Sequence, residues 1–288
     1  MDTLPFFGLA PFCQKNKKEV NTELKPNVRN TVQPVAFMRL GLFVPTLKST
    51  HRGRMGQMTS IDVSKELRQL SLAKSEGYER IHISGARLDM DNDFKTWIGI
   101  IHAFARYHVT NEELVLPFVE FIRLCGFSSS LSSARLRKRL EISLTRIASN
   151  TISFSNQSGD YYVTHLVQSA KYNSKTDEIC LQADPNIFEI YQFDRKVLLQ
   201  LRAINALPRK ESAQALYTFI ESLPSNPIPV SIERFRQRLN LTSRTITQNA
   251  IIRKALAQLK EIGYLDHSEV KRGHMTYFII HHRYPELR

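Results

Sequence analysis

Apolar positions along this chain recur at two spacings, and the switches between them predict its elements. After Asp93, residues Trp97, Ile100, Ile101 and Phe104 fall on one helical face, which predicts a helix to about Tyr107. Leu116–Cys125 predicts a short helix, and Ser132 or Ser133 caps a longer one reaching about Ser149. Tyr78–Ser84 alternates like a strand, and further strands are expected at Thr151–Ser155, Tyr161–Tyr172 and Glu178–Gln182, with turns at Asn156–Asp160 and Asn173–Asp177. Val63–Ser75 is an amphipathic candidate, and the apolar stretch Val35–Leu47 suits a strand or a docking segment. Residues 1–33 carry Pro5, Pro11 and Pro26 with little periodicity, as a flexible tail does, and His51–Met58 reads as a linker.

A second block opens near Phe193. Val197–Leu207 reads as helical; Pro208 stops it and fits the first turn of a following helix that runs to about Leu223. Pro224, Pro227 and Pro229 make a stiff connector. Ser231 caps a short helix, Ile232–Leu239, and after a turn at Asn240–Ser243 a longer helix runs to Ile262, where Gly263 ends it. Leu265–Val270 and Met275–His281 flank Lys271-Arg272-Gly273-His274, the form of a two-stranded wing.

The blocks repeat one plan: short helix, turn, long helix, hairpin. Pro117–Phe127 aligns with Ser231–Leu241, setting Phe121 opposite Phe235. After one extra residue in the second copy, Leu136, Leu140, Leu144 and Ile147 match Ile251, Ala255, Leu259 and Ile262. The expected fold is α+β and predominantly helical, with two tandem winged-helix domains: a tail over 1–33, an N-terminal domain over 34–192 and a C-terminal domain over 193–288.

Charge then points to a partner. Lys and Arg outnumber Asp and Glu by 40 to 27, and 16 against 8 of them lie in Phe193–Arg288. A basic excess concentrated in one domain suits a polyanion. On the second long helix Ile252, Ala255, Leu256 and Leu259 form the core face, leaving Ser243, Thr247, Ala250, Arg253 and Lys254 opposite it, with Arg244, Gln248 and Asn249 flanking the first turn. Arginine pairs with guanine edges, Asn and Gln with adenine, and a small residue permits close approach to a groove. Lys271, Arg272 and His274 at the wing tip suit the phosphate backbone. Arg234, Arg236 and Arg238 on the short helix suit phosphates that fix register, or are ordinary exposed charges. In the first copy Arg135 and Lys138 face away from the apolar stripe, a position that suits a second groove or an exposed face beside a dimer interface.

Other chemistries find no support. Cys13, Cys125 and Cys180 are far apart with no Cys-x-x-Cys pair, and the nine histidines form no metal-spaced cluster. Asp89, Asp91 and Asp93 open like a calcium loop, but Phe94 and Ile100 stand where Gly and Glu are needed, so helix capping suits Asp91 and Asp93 better. No nucleophile elbow or phosphate-binding loop occurs. A DNA-binding protein without enzymatic activity, metal or cofactor is expected. No run reaches the roughly 18 apolar residues of a membrane span, and the start does not read as a signal peptide, so a cytoplasmic protein without a membrane partner is expected.

Thr31–Ser49, Arg87–Arg106, Thr164–Ala170 and above all Gln192–Pro224 resemble the RepA replication initiators of IncFIB-type plasmids, within the iteron-binding initiator group, and the likeness runs from about Thr31 to Arg283. The resemblance implies two winged-helix domains, binding to direct repeats (iterons) in a plasmid origin, help in opening the adjacent DNA, and recruitment of host DnaA and the replicative helicase. It implies monomers at iterons in equilibrium with homodimers at an operator, with repression of the protein's own synthesis. It gives the Ser243–Lys260 helix and the Lys271–His274 wing the leading role. A winged-helix transcriptional repressor without initiator activity needs the same DNA reader and is the alternative.

Overall fold

The structure is a computed structural model that describes residues 26–46, 58–62, 78–109, 113–127, 133–156, 161–194 and 196–287. The expected segments at Val63–Ser75, most of His51–Met58, and residues 1–25 of the tail lie outside the described residues. The elements in chain order are β1 (Asn30–Pro34), α1 (Val35–Leu40), β2 (Phe43–Val44), β3 (Met58–Asp62), β4 (Tyr78–Ala86), β5 (Leu88–Asp89), α2 (Asp93–Tyr107), β6 (Glu113–Pro117), α3 (Phe118–Leu124), α4 (Ala134–Ala148) and β7 (Thr151–Asn156). They continue with β8 (Tyr161–His165), β9 (Ser169–Asn173), β10 (Glu178–Gln182), α5 (Pro185–Phe193), β11 (Lys196–Gln200), α6 (Leu201–Asn205), α7 (Glu211–Glu221), β12 (Val230–Ser231), α8 (Ile232–Leu239), α9 (Thr245–Glu261), β13 (Leu265–Arg272) and β14 (Met275–Arg283).

Local signals set the helix ends. The Ser133 hydroxyl accepts the Leu136 N–H at the start of α4, and Ser231 accepts the Arg234 N–H at 3.1 Å at the start of α8. Helix α2 buries Phe94, Trp97, Ile98, Ile100 and Phe104. It also presses Gly99 onto α3: a Cβ there would stand 2.3 Å from the Cys125 sulfur. Asp89, not Asp91 or Asp93, caps α2, its Oδ1 accepting the Asn92 and Asp93 N–H groups at 2.7 and 3.2 Å. Asp91 instead pairs with Lys95 and Arg139. Asp93 is buried, accepts the Ser143 hydroxyl at 2.7 Å, and shares the Arg146 guanidinium with Asp89 at 2.9 and 3.0 Å. Burial, and then the Asp89 charge, push the Asp93 carboxyl up to about 7 against the pull of Arg146.

Among the described residues two three-stranded sheets share one design. A short strand precedes the short helix and pairs with the last strand of the following hairpin, giving the orders β6-β10-β9 and β12-β14-β13. The α4 and α9 core faces also coincide: α4 buries Leu140, Ser143, Leu144 and Ile147, and α9 buries Ile252, Ala255, Leu256 and Leu259 at the same spacing. This burial sets Leu144 against Leu256, not Leu259. The turn between α8 and α9 is shorter than that between α3 and α4, where the sequence pairing expected an extra residue. The first unit adds a four-stranded sheet in the order β3-β4-β7-β8.

The segment expected to be tail and then a strand or a docking segment joins the blocks, and its Val35–Leu40 stretch is the helix α1. Thr31, Val32 and Gln33 are buried in β1, which runs antiparallel to β11 from Asn30↔Gln200 to Pro34↔Lys196, so the tail ends before residue 30 and β11 replaces the first part of the helix expected over Val197–Leu207. The alternately buried Val197 and Leu199 fit a strand once a partner is present. Asp194 accepts the Ala36 N–H at 2.6 Å, Arg39 donates to the Ser222 carbonyl, and β2 pairs in parallel with β5. Val35–Val44 therefore packs across the boundary expected at 192/193, and one apolar core runs through both blocks. Gly41, at φ 74°, lets this segment turn where a Cβ would meet the Arg238 carbonyl at 2.9 Å.

Candidate nucleic-acid interface

The C-terminal unit places a long helix between a short helix and a hairpin. Phe235 packs edge-on against Phe219 of α7 and Phe278 of β14, fixing α8 in the core. Asn240 ends α8 in the left-handed region at φ 45°. Gln248 then closes the turn, its amide N–H groups bonding the Leu241 and Ser243 carbonyls at 2.8 and 2.6 Å. Its donors are consumed within the protein, so the expected adenine contact by Gln248 is not what this geometry presents. Asn249 is half-buried, with its Oδ1 shut off from solvent.

Ser243, Arg244, Thr247, Ala250, Arg253 and Lys254 are exposed on α9 and its leading turn. Arg244 and Lys254 make no ion pair among the described residues. Arg253 does. It donates bidentately to Glu269 of β13, Nη2 to Oε1 at 2.7 Å and Nε to Oε2 at 3.0 Å, tying the helix to the hairpin. Hydrogen bonding from Arg253 lowers the Glu269 carboxyl below its ordinary value, and the same contact raises Arg253. Lys271, Arg272 and His274 are exposed at the hairpin tip, where β13 and β14 close from Lys271↔Thr276 to Arg272↔Met275.

The three arginines of α8 separate. Arg238 is 1% exposed and holds no phosphate. Its Nε donates to Met38 O at 2.7 Å, Nη1 to Phe43 O at 2.9 Å and Nη2 to the Thr218 hydroxyl at 3.0 Å, bolting the joining segment to the second unit. Arg234 is half-buried over the Phe219 ring and reaches the Arg39 carbonyl, so it too serves the joint. Arg236 lines a cleft of about 370 Å³ with Glu233, Asn240, Thr245 and Gln248, between α8 and the start of α9.

In the first unit Arg135 is exposed and makes no ion pair among the described residues, whereas Lys138 pairs with Glu141 at 3.1 Å. Arg137 bonds Asp177 at 2.9 Å beyond the β9–β10 turn, and Arg139 bonds Asn92. Of the two residues expected to face a second groove, Arg135 is free of ion pairs among the described residues and Lys138 stays exposed beside Glu141.

Reading the sequence alone overlooks two features. Glu269 had no assigned role, although an acid on the first hairpin strand, β13, facing a helix arginine is a readable pairing. Ile246, in the first turn of α9, is 84% exposed; the signal was an isoleucine off the core stripe. Among the described residues no group of three or more His, Cys, Asp and Glu is placed to hold a metal, and no helix is long and apolar enough to cross a membrane.

The sequence profile of the family described as "Initiator Replication protein, WH1" matches residues 60–221. "Replication protein RepA" of Salmonella typhi is 71% identical over 280 residues, covering 96% of this chain and 80% of that protein. "RepFIB replication protein A" of Escherichia coli is 58% identical over 268 residues, covering 92% of this chain and 82% of the relative. Among solved structures, a crystal structure of domain 2 and domain 3 of RctB superimposes with a TM-score of 0.51 at 13% identity, over 87% of this chain and 99% of that one, a likeness of fold. The chain belongs to the RepA family of plasmid replication initiator proteins.

Proposed function

We propose that this chain initiates plasmid replication by binding direct repeats in the origin, with α9 in the major groove and the β13–β14 tip on the neighbouring backbone. The observation that carries this reading is the exposed face of α9 and its leading turn: Arg244 and Lys254 stand free of ion pairs among the described residues and Thr247 is exposed between them, with the basic tip Lys271-Arg272 on the adjoining hairpin and the opposite face of the helix locked in the core. The shared strand order of β6-β10-β9 and β12-β14-β13 supports two winged-helix units in tandem. The first supports dimerisation and backbone contact, and the second reads sequence. Promotion of origin opening, recruitment of host DnaA and the replicative helicase, and autorepression as a dimer at an operator follow from the family likeness and complete the proposal.

The test is fluorescence anisotropy with duplexes cut from the DNA flanking the gene. Direct repeats of about 20 base pairs, roughly two helical turns, are expected to bind at least about a thousandfold tighter than scrambled duplex. Lys254→Ala is expected to weaken that binding by about tenfold and Lys138→Ala to leave it unchanged. A single palindrome as the only specific site, with a gene and flank that fail to sustain a plasmid, favours the repressor.

A further inference from the structure

Three large apolar side chains stand more than four-fifths exposed among the described residues: Val28, Ile228 and Ile246. Val28 precedes β1, and Ile228 sits between the prolines of the connector. Only Ile246 is held in a helix, so only its position is fixed by packing elsewhere in the same element. It lies in the first turn of α9, flanked by the exposed Thr245 and Thr247. One turn on, at helical spacing, is the exposed Ala250, and a turn beyond that is Lys254. This stripe runs opposite the buried Ile252, Ala255, Leu256 and Leu259. It gives a charged surface a narrow apolar line, with Arg244 before it and the Lys271-Arg272 tip beside it.

A partner that satisfies both features carries dense negative charge and a small apolar projection. In the major groove of duplex DNA, that projection is the C5-methyl of thymine. We infer that Ile246, with Ala250 allowing close approach, reads thymine methyl groups and is a specificity-determining residue of this chain. The inference rests on the proposal that α9 enters the major groove. It requires a chemistry different from hydrogen-bonded base reading, because an isoleucine offers no donor or acceptor. It also accounts for a reading helix in which the Gln248 amide N–H groups are bonded within the protein. Burying one methyl between Ile246 and thymine contributes about three- to fivefold in affinity.

The experiment uses the full chain and a duplex that it selects from a randomised pool. Each thymine of that duplex is replaced in turn by deoxyuridine, which differs only in lacking the methyl. At one or two positions the replacement is expected to weaken binding about three- to fivefold. Ile246→Ala is expected to bind the thymine and uracil duplexes equally at those positions. The substitution is at an exposed site, so the melting temperature should match wild type. Uniform tolerance of uracil on a specifically bound duplex overturns the inference and leaves the reading of α9 standing. Retained discrimination by Ile246→Ala also overturns it, by moving the methyl contact to another residue. Failure of the chain to select any sequence overturns the groove proposal and this inference together.

Discussion

Helices α4 and α9 hold corresponding places in their units, yet the cations along them are engaged to different extents. The denser basic run belongs to α4, with Arg135, Arg137, Lys138 and Arg139 in five positions. Nearly all of it is engaged: Arg137 with Asp177, Lys138 with Glu141, Arg139 with Asn92 and Asp91, and Arg146 further on with Asp89 and Asp93. Helix α9 has fewer cations: Arg253 is paired at its centre and Lys260 meets Asp266 at 3.9 Å near its end, while Lys254, and Arg244 just before the helix, meet no acid among the described residues. The tips follow suit. The β9–β10 turn presents Lys175 and turns Asp177 back toward the helix, whereas the β13–β14 turn presents Lys271, Arg272 and His274. The number of cations on a helix therefore does not decide how many of them stand unpaired at the surface; the acids on the surrounding elements do. Helix α4 behaves as a structural element and α9 as a presenting one.

The largest effect that tests this contrast falls on Arg146. Arg146→Met leaves Asp89 and Asp93 facing each other without their shared cation, and is expected to destabilise the fold by about 3–5 kcal/mol in urea unfolding. Asp93 also gives a pH signature. Its folded pKa lies above its unfolded value, so its contribution to stability is present below the ordinary carboxylate pKa and is lost as pH rises through about 7. Asp93→Asn is expected to flatten the fall in stability between about pH 4 and 7. An Arg146→Met protein with wild-type stability and weakened DNA binding would give α4 a presenting role after all.

Next in size is Arg238, where the second unit does hold a structural cation. Arg238→Met leaves the Met38 and Phe43 carbonyls without this donor, at about 1–3 kcal/mol for each buried group. The expected outcome is a lower urea midpoint with an unchanged salt slope of DNA binding. A reduced salt slope would return Arg238 to the phosphate-holding role that its sequence position suggested.

That misreading shows where sequence reasoning stops. The bounds of α2, the Ser133 and Ser231 caps and the Gly273 turn were legible, because each is set by residues within a few positions of itself. Arg238 was not, because two of its acceptors, the Phe43 and Met38 carbonyls, lie 195 and 200 residues away in the chain. Its flanking core residues Phe235 and Leu239 did hint that it shares their buried face. Strand β11 was hidden for the same reason: Val197 and Leu199 alternate only in the presence of β1. At the site, exposure of Arg244, Thr247, Lys254 and the wing tip followed from helical periodicity and turn chemistry. Gln248 was misassigned because a carboxamide suited to adenine is equally suited to two nearby carbonyls, and only the turn geometry decides between them.

A smaller effect belongs to the wing. Removing two phosphate-neutralising cations with Lys271→Ala and Arg272→Ala is expected to lower the slope of log affinity against log salt by about 2. Folding stability should stay within about 0.5 kcal/mol of wild type, since both side chains are exposed. Lys175→Ala, at the other tip, is expected to leave the slope unchanged. Equal losses at the two tips would erase the distinction between the units.

The smallest effect concerns Glu269, where the two units resemble one another most: each ties its long helix to its hairpin through an arginine and a carboxylate, Arg137–Asp177 and Arg253–Glu269. Both partners of the second pair are more than a third exposed, so Glu269→Gln is expected to cost less than about 1 kcal/mol of stability. That contribution is present above the ordinary carboxylate pKa and is lost as pH falls through the lowered folded value, so any difference from wild type should vanish in acid. Its consequence for DNA is more telling than its size. Removing the acid takes a like charge away from the phosphates and releases Arg253. If the pair serves only to neutralise, affinity for specific and scrambled duplexes should rise by the same factor. If it sets the angle between reading helix and wing, nonspecific affinity should rise while the ratio of specific to scrambled binding falls. The bidentate geometry favours the second outcome, because two bonds to one carboxylate fix direction as well as distance.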